Sequence, residues 1–437
     1  MIPKKGWSCF HTEYRPISLL SCIGKVVERV MKNRLYPFLE SNKLIVKEQS
    51  GFRSKRGTAD NLIFVNQKIQ EALNRSRRVC GVFFDISKAF DKVWHAGVLY
   101  KLIRLNVPKY IIRFMKSFLE NRHFKVKVNR ETSGVHTIEV SVPQGSVLGP
   151  IAFLIAIGDI PLSNLRNVSY SDLFADDLCS IFFFSKKTGR VVRLIKAYLE
   201  SFVAWLFKWR LRMNASKCCY TIFSNRGRGG LDLDLRLKGE PIPYNKNPTY
   251  LGITFDEHLN FNKHYEILRS RALKRLNIIK IFSHKSWLLS KATLVRIYGA
   301  LVGSIFDYSV FTVASVSDTS LKRIQSVQNR SIRCIYKLKW DSPTTELPII
   351  SGLIPIRSRF LKLGSRYLTK CIIFKNELTS VIIEEYVRSF SAITAGEKFL
   401  ITPLCLFTSL VALAWGLLYV WTRFLLLKSL FNYLLVQ

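Results

Sequence analysis

The sequence predicts an α+β protein that passes into an all-α, strongly basic segment and ends in an uncharged apolar stretch. Three observations carry that expectation. Up to about residue 256, short apolar runs of strand length alternate with longer stripes at helical spacing. From 257 to 375 the chain reads as helices dense in Lys and Arg. Residues 399–422, "FLITPLCLFTSLVALAWGLLYVWT", hold no charge.

The 437 residues allow two or three domains, and an apolar content of 48% excludes a disordered chain. Against 30 Asp and Glu stand 67 Lys and Arg, a net charge of +37. A compact fold holds that charge poorly without a polyanion nearby. Nucleic acid is the first such partner, because counterion release would supply much of the affinity. An anionic membrane surface is the competitor. The nine cysteines are odd in number and form no C-x-x-C pair. They predict reduced thiols, with neither a disulfide partner nor a zinc site. The opening "MIPKKGWSCFHTEYRP" lacks the apolar core of a secretory signal.

Taken in order, "ISLLSCIGKVVERVMKNRLYPFLES" predicts a helix with an apolar stripe at Ile23, Val26, Val27, Val30, Met31, Leu35 and Phe38. "KEQSGFRSKRGT" (47–58) is basic and broken by glycine, hence a loop or short hairpin. A second helix follows, with Leu62, Val65, Ile69 and Leu73 on one side. "CGVFFD" (80–85) is a buried strand ending in Asp, and "KAFDKVWHAGVLYKLIRL" continues as a helix. Residues 124–142 alternate as a hairpin does. "PQGSVLGP" is turn-rich, and the apolar "IAFLIAI" comes after it. "VSYSDLFA" and "LCSIFFF" read as two strands of a tight hairpin with Asp176 and Asp177 at its turn. Beyond the helical "VVRLIKAYLESFVAWLFKWRLRMN", strands are expected at "CCYTIFS", "LDLDLRLKG" and "YLGITFD". Residues 376–398 are a linker, and 399–422 are long enough to span a membrane, with Trp415, Tyr419 and Trp421 toward one end. A buried helix is the alternative for that stretch.

Asp85 closes an apolar strand, and Asp176 and Asp177 sit between apolar strands. If the hairpin lies beside residues 80–85, the carboxylates converge. Two charges about 4 Å apart repel by roughly 4 kcal/mol at an effective dielectric near 20. Protonation answers that repulsion; so does a hard divalent cation with oxygen ligands. Alone, each Asp reads as a turn or cap residue.

The company these aspartates keep decides between the readings. "FFDISKAFDKVWH", "VPQGSVLGP", "FADD", "NASKCCYTIFS" and "YLGITFD" occur in that order. They resemble the palm motifs of a reverse transcriptase of the non-LTR (LINE-type) retrotransposons. "YRPISLLSCIGKVVERVMKNRL" and "QSGFRSKRGTADNLIF" resemble its finger segments. The resemblance covers about residues 1–256; the basic helices of 257–375 resemble the thumb and downstream region less specifically.

The resemblance implies a right-hand polymerase, with an antiparallel sheet in the palm. It implies an RNA-directed DNA polymerase that adds dNTPs to a primer DNA 3′-hydroxyl on a template RNA. Two Mg²⁺ ions, or Mn²⁺ in their place, would serve. Asp85, Asp176 and Asp177 match the family's acidic triad, and Ile86 the position whose backbone carbonyl joins them as a metal ligand. Phe90 matches the aromatic gate that excludes a ribose 2′-hydroxyl. Asp91 reads as a capping or hydrogen-bonding residue. Gln144 and Gly145 fall in the nucleotide-pocket loop, and Arg53, Lys55 and Arg56 are candidates for the triphosphate. Lys217 matches a lysine able to protonate pyrophosphate. Tyr250, Leu251 and Gly252 match the primer-holding hairpin, and Arg269, Arg271, Lys274 and Arg275 would grip the hybrid's phosphates. Neither a nuclease-like domain nor a Cys–His knuckle is recognisable, so the chain reads as a truncated element. The compartment is nucleus or cytoplasm for a working ribonucleoprotein, and a membrane if 399–422 spans one. A catalytically idle nucleic-acid-binding relic is the other functional class.

Overall fold

The computed structural model describes residues 2–3, 14–15 and 17–374, apart from 76, 129–130, 166, 186–187, 215–216, 226–232 and 313–314. The expected linker 376–398 and spanning stretch 399–422 lie outside the described residues; among those described, no helix is long and apolar enough to cross a membrane. Two compact units emerge: residues 1–61, 80–221 and 230–245, and residues 62–79, 222–229 and 246–437.

The first unit is built around most of a four-stranded sheet. Its strands are β1 (Arg78–Asp85), β2 (Ser169–Phe174), β3 (Asp177–Phe184) and β4 (Cys219–Phe223), in the order β4-β1-β3-β2. β2 and β3 are antiparallel, with Phe174 opposite Asp177 and Ser171 opposite Ser180. Only Ala175 and Asp176 join them, and Ala175 takes φ 54°. Cys80, Val82, Phe83 and Phe84 are all buried, so β1 is covered on both faces, as a continuous apolar run of strand length suggests.

One face is closed by the helix α6 (Gly189–Lys208). It buries Val191, Ile195, Tyr198, Leu199, Phe202, Trp205 and Leu206, a 3.6-residue stripe. Phe202 stacks on Phe84 at 5.0 Å. Truncating such a ring to Ala costs about 3–5 kcal/mol. For reference, the helices of this unit are α1 (Cys22–Ser41), the first turn of α2 (Thr58–Asn74), α3 (His95–Arg104), α4 (Lys109–Leu119), α5 (Gly149–Ala156) and α6 (Gly189–Lys208). The apolar "IAFLIAI" forms most of α5, where Ile151, Ala152, Phe153, Leu154 and Ile155 are all buried.

Four elements depart from the sequence expectation. α1 forms where expected, yet Ile23, Val26, Val27 and Val30 are exposed, and the buried face is Glu28, Met31, Leu35 and Leu39. The helix expected from Lys88 breaks. Phe90–Lys92 form a single 3-10 turn, and the chain then extends to pair with residues 140–142 before α3 starts. Ser141 N–H donates to the Val93 carbonyl at 2.9 Å and Val142 N–H to that of Phe90 at 3.1 Å. "LDLDLRLKG" alternates as read, burying Leu233, Leu235 and Leu237, but only Arg236–Leu237 form a strand, paired with Glu240–Pro241. The hairpin expected at 124–142 is nested: Arg122–Phe124 pair with His136–Ile138, and Lys127–Val128 with Glu131–Thr132.

A buried cation marks the packing of α3 against α6. The Lys101 ammonium donates to Asp159 at 2.5 Å and lies 3.7 Å from the centre of the Trp209 ring. Asp159 also accepts the Trp205 indole N–H at 2.8 Å.

The second unit is helical: most of α2, then α7 (Asn262–Phe282) and α8 (Lys291–Tyr298), then the helices Asp318–Tyr336 and Ile356–Phe374. Ser290 and Ser317 cap their helices by accepting the N–H of Thr293 and Ser320. Arg359 holds Asp307 through two bonds of 2.5 and 2.6 Å.

Candidate active site

Asp85 is the last residue of β1 and Asp177 the first of β3; the two strands are neighbours, and Asp176 lies in the turn just before. Asp177 senses the other two carboxylates. Burial, and then the charges of Asp176 and Asp85, push the Asp177 carboxyl up to about 6. The Lys217 ammonium stands 3.7 Å from an Asp85 oxygen.

The backbone just past Asp85 is also arranged. Ile86 bridges Met213, but the bonds on either side of that bridge run from Asn214 N–H to the Asp85 carbonyl and from Ser87 N–H to the Arg212 carbonyl. The Ile86 carbonyl therefore takes no part in this pairing. Among the described residues no three Asp, Glu, His or Cys side chains already stand close enough to cage a metal ion. Repulsion keeps like charges apart, and Lys217 draws on Asp85. The donor set is nevertheless the right chemistry for a hard divalent cation: all oxygen, carboxylate and carbonyl.

Phe90 follows at the 3-10 turn. Its ring stacks on Phe153 of α5 at 4.3 Å and meets Phe52 edge-on at 5.7 Å. Both contacts fix its orientation while leaving it half-buried. The loop 143–149 lies alongside. Gln144 donates its amide to Asp91 at 2.9 Å, which bears out Asp91 as a hydrogen-bonding residue. Gly145 is exposed with φ 111°, a conformation that side chains resist, and Ser18 N–H donates to the Gln144 carbonyl at 2.9 Å. Sequence reasoning missed Glu28. Its carboxylate accepts the N–H groups of Val147 and Leu148, at 2.7 and 3.1 Å. The signal was present: Glu28 falls in register with Met31, Leu35 and Leu39.

The three finger cations part company. The Arg53 side chain is 10% exposed, and its guanidinium grips Glu40 at 2.9 and 2.5 Å and the carbonyls of Val46 and Gln49. Burial opposes the Glu40 charge, but hydrogen bonds from Arg53 and Tyr36 outweigh it and hold that carboxyl below its usual range. Arg53 thus shapes the loop, with little left for a phosphate. Arg56 donates to the carbonyls of Lys47 and Gln49. Lys55 is exposed.

In the second unit, Thr249–Tyr250 and Ile253–Thr254 form a hairpin around Leu251 and Gly252, at φ 45° and 79°. Positive φ at both turn residues matches a two-residue hairpin loop. Tyr250 is buried, and Tyr308 donates its hydroxyl to the Leu251 carbonyl at 2.8 Å. His264 accepts Thr254 N–H and meets the Ser309 hydroxyl at 2.8 Å. Arg269 and Lys274 line a cavity of about 1010 Å³ with Lys280, Arg323, Arg330 and Arg333, and Trp340 stands on its wall, 87% exposed. Among the described residues Glu266 is the one acid on that wall, and it pairs with Lys263 at 3.4 Å. Arg271 and Arg275 are not among the lining residues; Arg275 donates to the Leu301 carbonyl.

Residues 2–255 match the reverse transcriptase (RNA-dependent DNA polymerase) family. The RNA-directed DNA polymerase from mobile element jockey of Drosophila melanogaster is 32% identical over 377 residues, which cover 84% of this chain and 40% of that protein. The probable RNA-directed DNA polymerase from transposon X-element of the same species is 30% identical over 377 residues, with the same coverage. Among solved structures, a telomerase from Candida tropicalis aligns over 83% of this chain and 56% of its own, at 12% identity and a TM-score of 0.40. The chain spans about 40% of the length of these two retroelement relatives. On the family match across more than half of its residues, the chain belongs to the reverse transcriptase family.

Proposed function

We propose that the chain is an RNA-directed DNA polymerase of a non-LTR retrotransposon, adding dNTPs to a primer DNA 3′-hydroxyl on a template RNA as part of a ribonucleoprotein. The observation that supports the reading is that Asp85 ends one strand and Asp177, just after Asp176 and some 90 positions on, begins its neighbour, with Asp177 feeling the charge of both. In this reading residues 1–256 are fingers and palm, and 257–375 the thumb and beyond.

The three carboxylates and the Ile86 carbonyl would hold two Mg²⁺ ions, with Mn²⁺ able to substitute. Bound there, the ions would activate the primer hydroxyl and neutralise charge on the leaving pyrophosphate. The remaining work falls to the chain. Phe90, locked by Phe153 and Phe52, fills the space a 2′-hydroxyl needs. Gln144 and Gly145 bring backbone and amide against the incoming nucleotide. Lys217 carries a proton on Nζ beside Asp85 and gives it to pyrophosphate. Lys55 and Arg56 meet the triphosphate, on a loop that Arg53 braces. The Tyr250–Gly252 hairpin supports the primer, and Arg269, Arg271, Lys274 and Arg275 neutralise phosphates of the hybrid.

The test is primer extension on an RNA template with Mg²⁺ and dNTPs, comparing the wild type with Asp85→Ala and Asp176→Ala. Product from the wild type alone is expected. Product from none of the three would favour an idle binding scaffold, and equal product from all would remove these aspartates from the chemistry.

A further inference from the structure

Gln49, the third residue of the basic loop 47–58, is 1% exposed. Its side-chain oxygen accepts the N–H of Ala175 at 2.8 Å and of Gly51 at 2.7 Å, and its amide donates to the Ala175 carbonyl at 3.2 Å. One side chain thus takes both backbone groups of the residue just before Asp176. An amide is the only neutral side chain of this size with one acceptor and one donor so placed. The oxygen is assigned to the two N–H groups because the reverse orientation would set donors against donors.

Ala175 needs holding. Its φ of 54° is a conformation that costs a non-glycine residue about 1–3 kcal/mol and persists only where surroundings over-determine it. The loop supplies those surroundings in depth. Gln49 forms a parallel bridge with Leu173, Ser50 N–H donates to the Leu173 carbonyl at 3.0 Å, and Asn61 donates to the same oxygen at 3.1 Å. The approach is backbone to backbone: a Cβ on Gly51 would lie 2.3 Å from the Ala175 nitrogen and 2.9 Å from its Cα.

We propose that Gln49 is a positioning residue of the acidic site: with Gly51 as its close-fitting neighbour, it fixes the Ala175–Asp176 turn so that Asp176 and Asp177 face Asp85. The inference rests on the polymerase reading for its consequence, but its geometry is independent of turnover. A residue that only stabilised the fold would change melting temperature and nothing else.

The experiment uses the full chain with Gln49→Leu, Gly51→Ala and the core control Leu102→Ala, which removes a fully buried side chain of α3. Three quantities are read: melting temperature, Mn²⁺ affinity from the paramagnetic signal of free ion, and primer extension against Mg²⁺ concentration. Losing a partner that orients ligands typically costs 10- to 100-fold in metal affinity or activity, so Gln49→Leu and Gly51→Ala should weaken Mn²⁺ binding by about that factor and raise the Mg²⁺ requirement. Gln49→Glu, which keeps the acceptor and loses the donor, should fall between them and the wild type. Leu102→Ala should lower the melting temperature and leave metal affinity alone. Wild-type Mn²⁺ affinity in folded Gln49→Leu would overturn the proposal, and so would an equal loss in Leu102→Ala at matched stability or no Mn²⁺ binding by the wild type. A wild type that binds Mn²⁺ in a Gln49-dependent way yet extends no primer would refute the polymerase reading and leave the positioning role standing.

Discussion

The carboxylate of Glu28 accepts the backbone N–H of Val147 at 2.7 Å, tying the 143–149 loop to α1. Leu148 N–H completes the clamp. Glu28→Ala leaves two poorly hydrated donors without a partner, a loss of about 2–4 kcal/mol in unfolding free energy. Denaturant titration measures it. The loosened loop should raise KM for dNTP more than it lowers kcat, and Glu28→Gln, whose one amide oxygen can accept both N–H groups as a single carboxylate oxygen does here, should keep most of the stability.

Phe90 is held between Phe153 and Phe52, so its outline is fixed before any nucleotide arrives. Phe90→Val should let ribonucleotides in. A gap of a few carbons in a pocket changes selectivity by about 10–200-fold, and the dNTP-over-rNTP ratio should fall within that range. Single-nucleotide extension with each substrate reads it; an unchanged ratio would assign Phe90 to packing alone.

On the proposed reading the cationic cavity of the second unit is a nucleic-acid surface, and Trp340 on its wall offers a single-stranded RNA a face for stacking. Each phosphate contact on a single strand contributes about 0.7 to the slope of log affinity against log salt. Arg323→Ala with Arg330→Ala should therefore flatten the slope for an RNA oligonucleotide by about 1.4. Trp340→Ala should weaken binding with the slope unchanged. Fluorescence anisotropy across a salt series separates the two.

His264 sets a pH dependence. Burial first, and then the charge of Arg271, pull its pKa down to about 4 from an ordinary 6.5. Between those values the unfolded chain binds the proton and the folded chain does not, so stability rises with pH across that window and is lost on acidification from 6.5 toward 4. The slope contributed is at most about 1.4 kcal/mol per pH unit. Urea midpoints from pH 4 to 7 should show it, and His264→Gln should flatten it. The hairpin 249–254 loosens with it, since Thr254 N–H is held by the imidazole.

What was legible in the sequence was what local pattern controls. The β2–β3 hairpin follows from two apolar runs of strand length around a two-residue turn, and α6 from its stripe. The faces chosen were less legible. Ile23, Val26, Val27 and Val30 look like a core stripe, but the helix turns Glu28 inward because the 143–149 loop needs an acceptor. The break at Val93 depends on residues 140–142, some 50 positions on, which no local window contains. Arg53 reads as a phosphate ligand until Glu40 is found beside it, and Gln49 has no motif signal apart from its neighbours because its partner lies 126 residues downstream. Positions set by strand ends were therefore readable; those set by a distant backbone group were not.

The cation lodged between Asp159 and Trp209 gives the protein an optical gauge of its own. Burial lowers the Lys101 ammonium to about 8 despite the hydrogen bond it donates to Asp159, so it sheds its charge in mildly alkaline solution, 3.7 Å from the middle of an indole. Indole emission answers to a charge that close. A sigmoid in fluorescence centred near that pH, absent from Lys101→Met, would report the state of the α3–α6 contact without any added label.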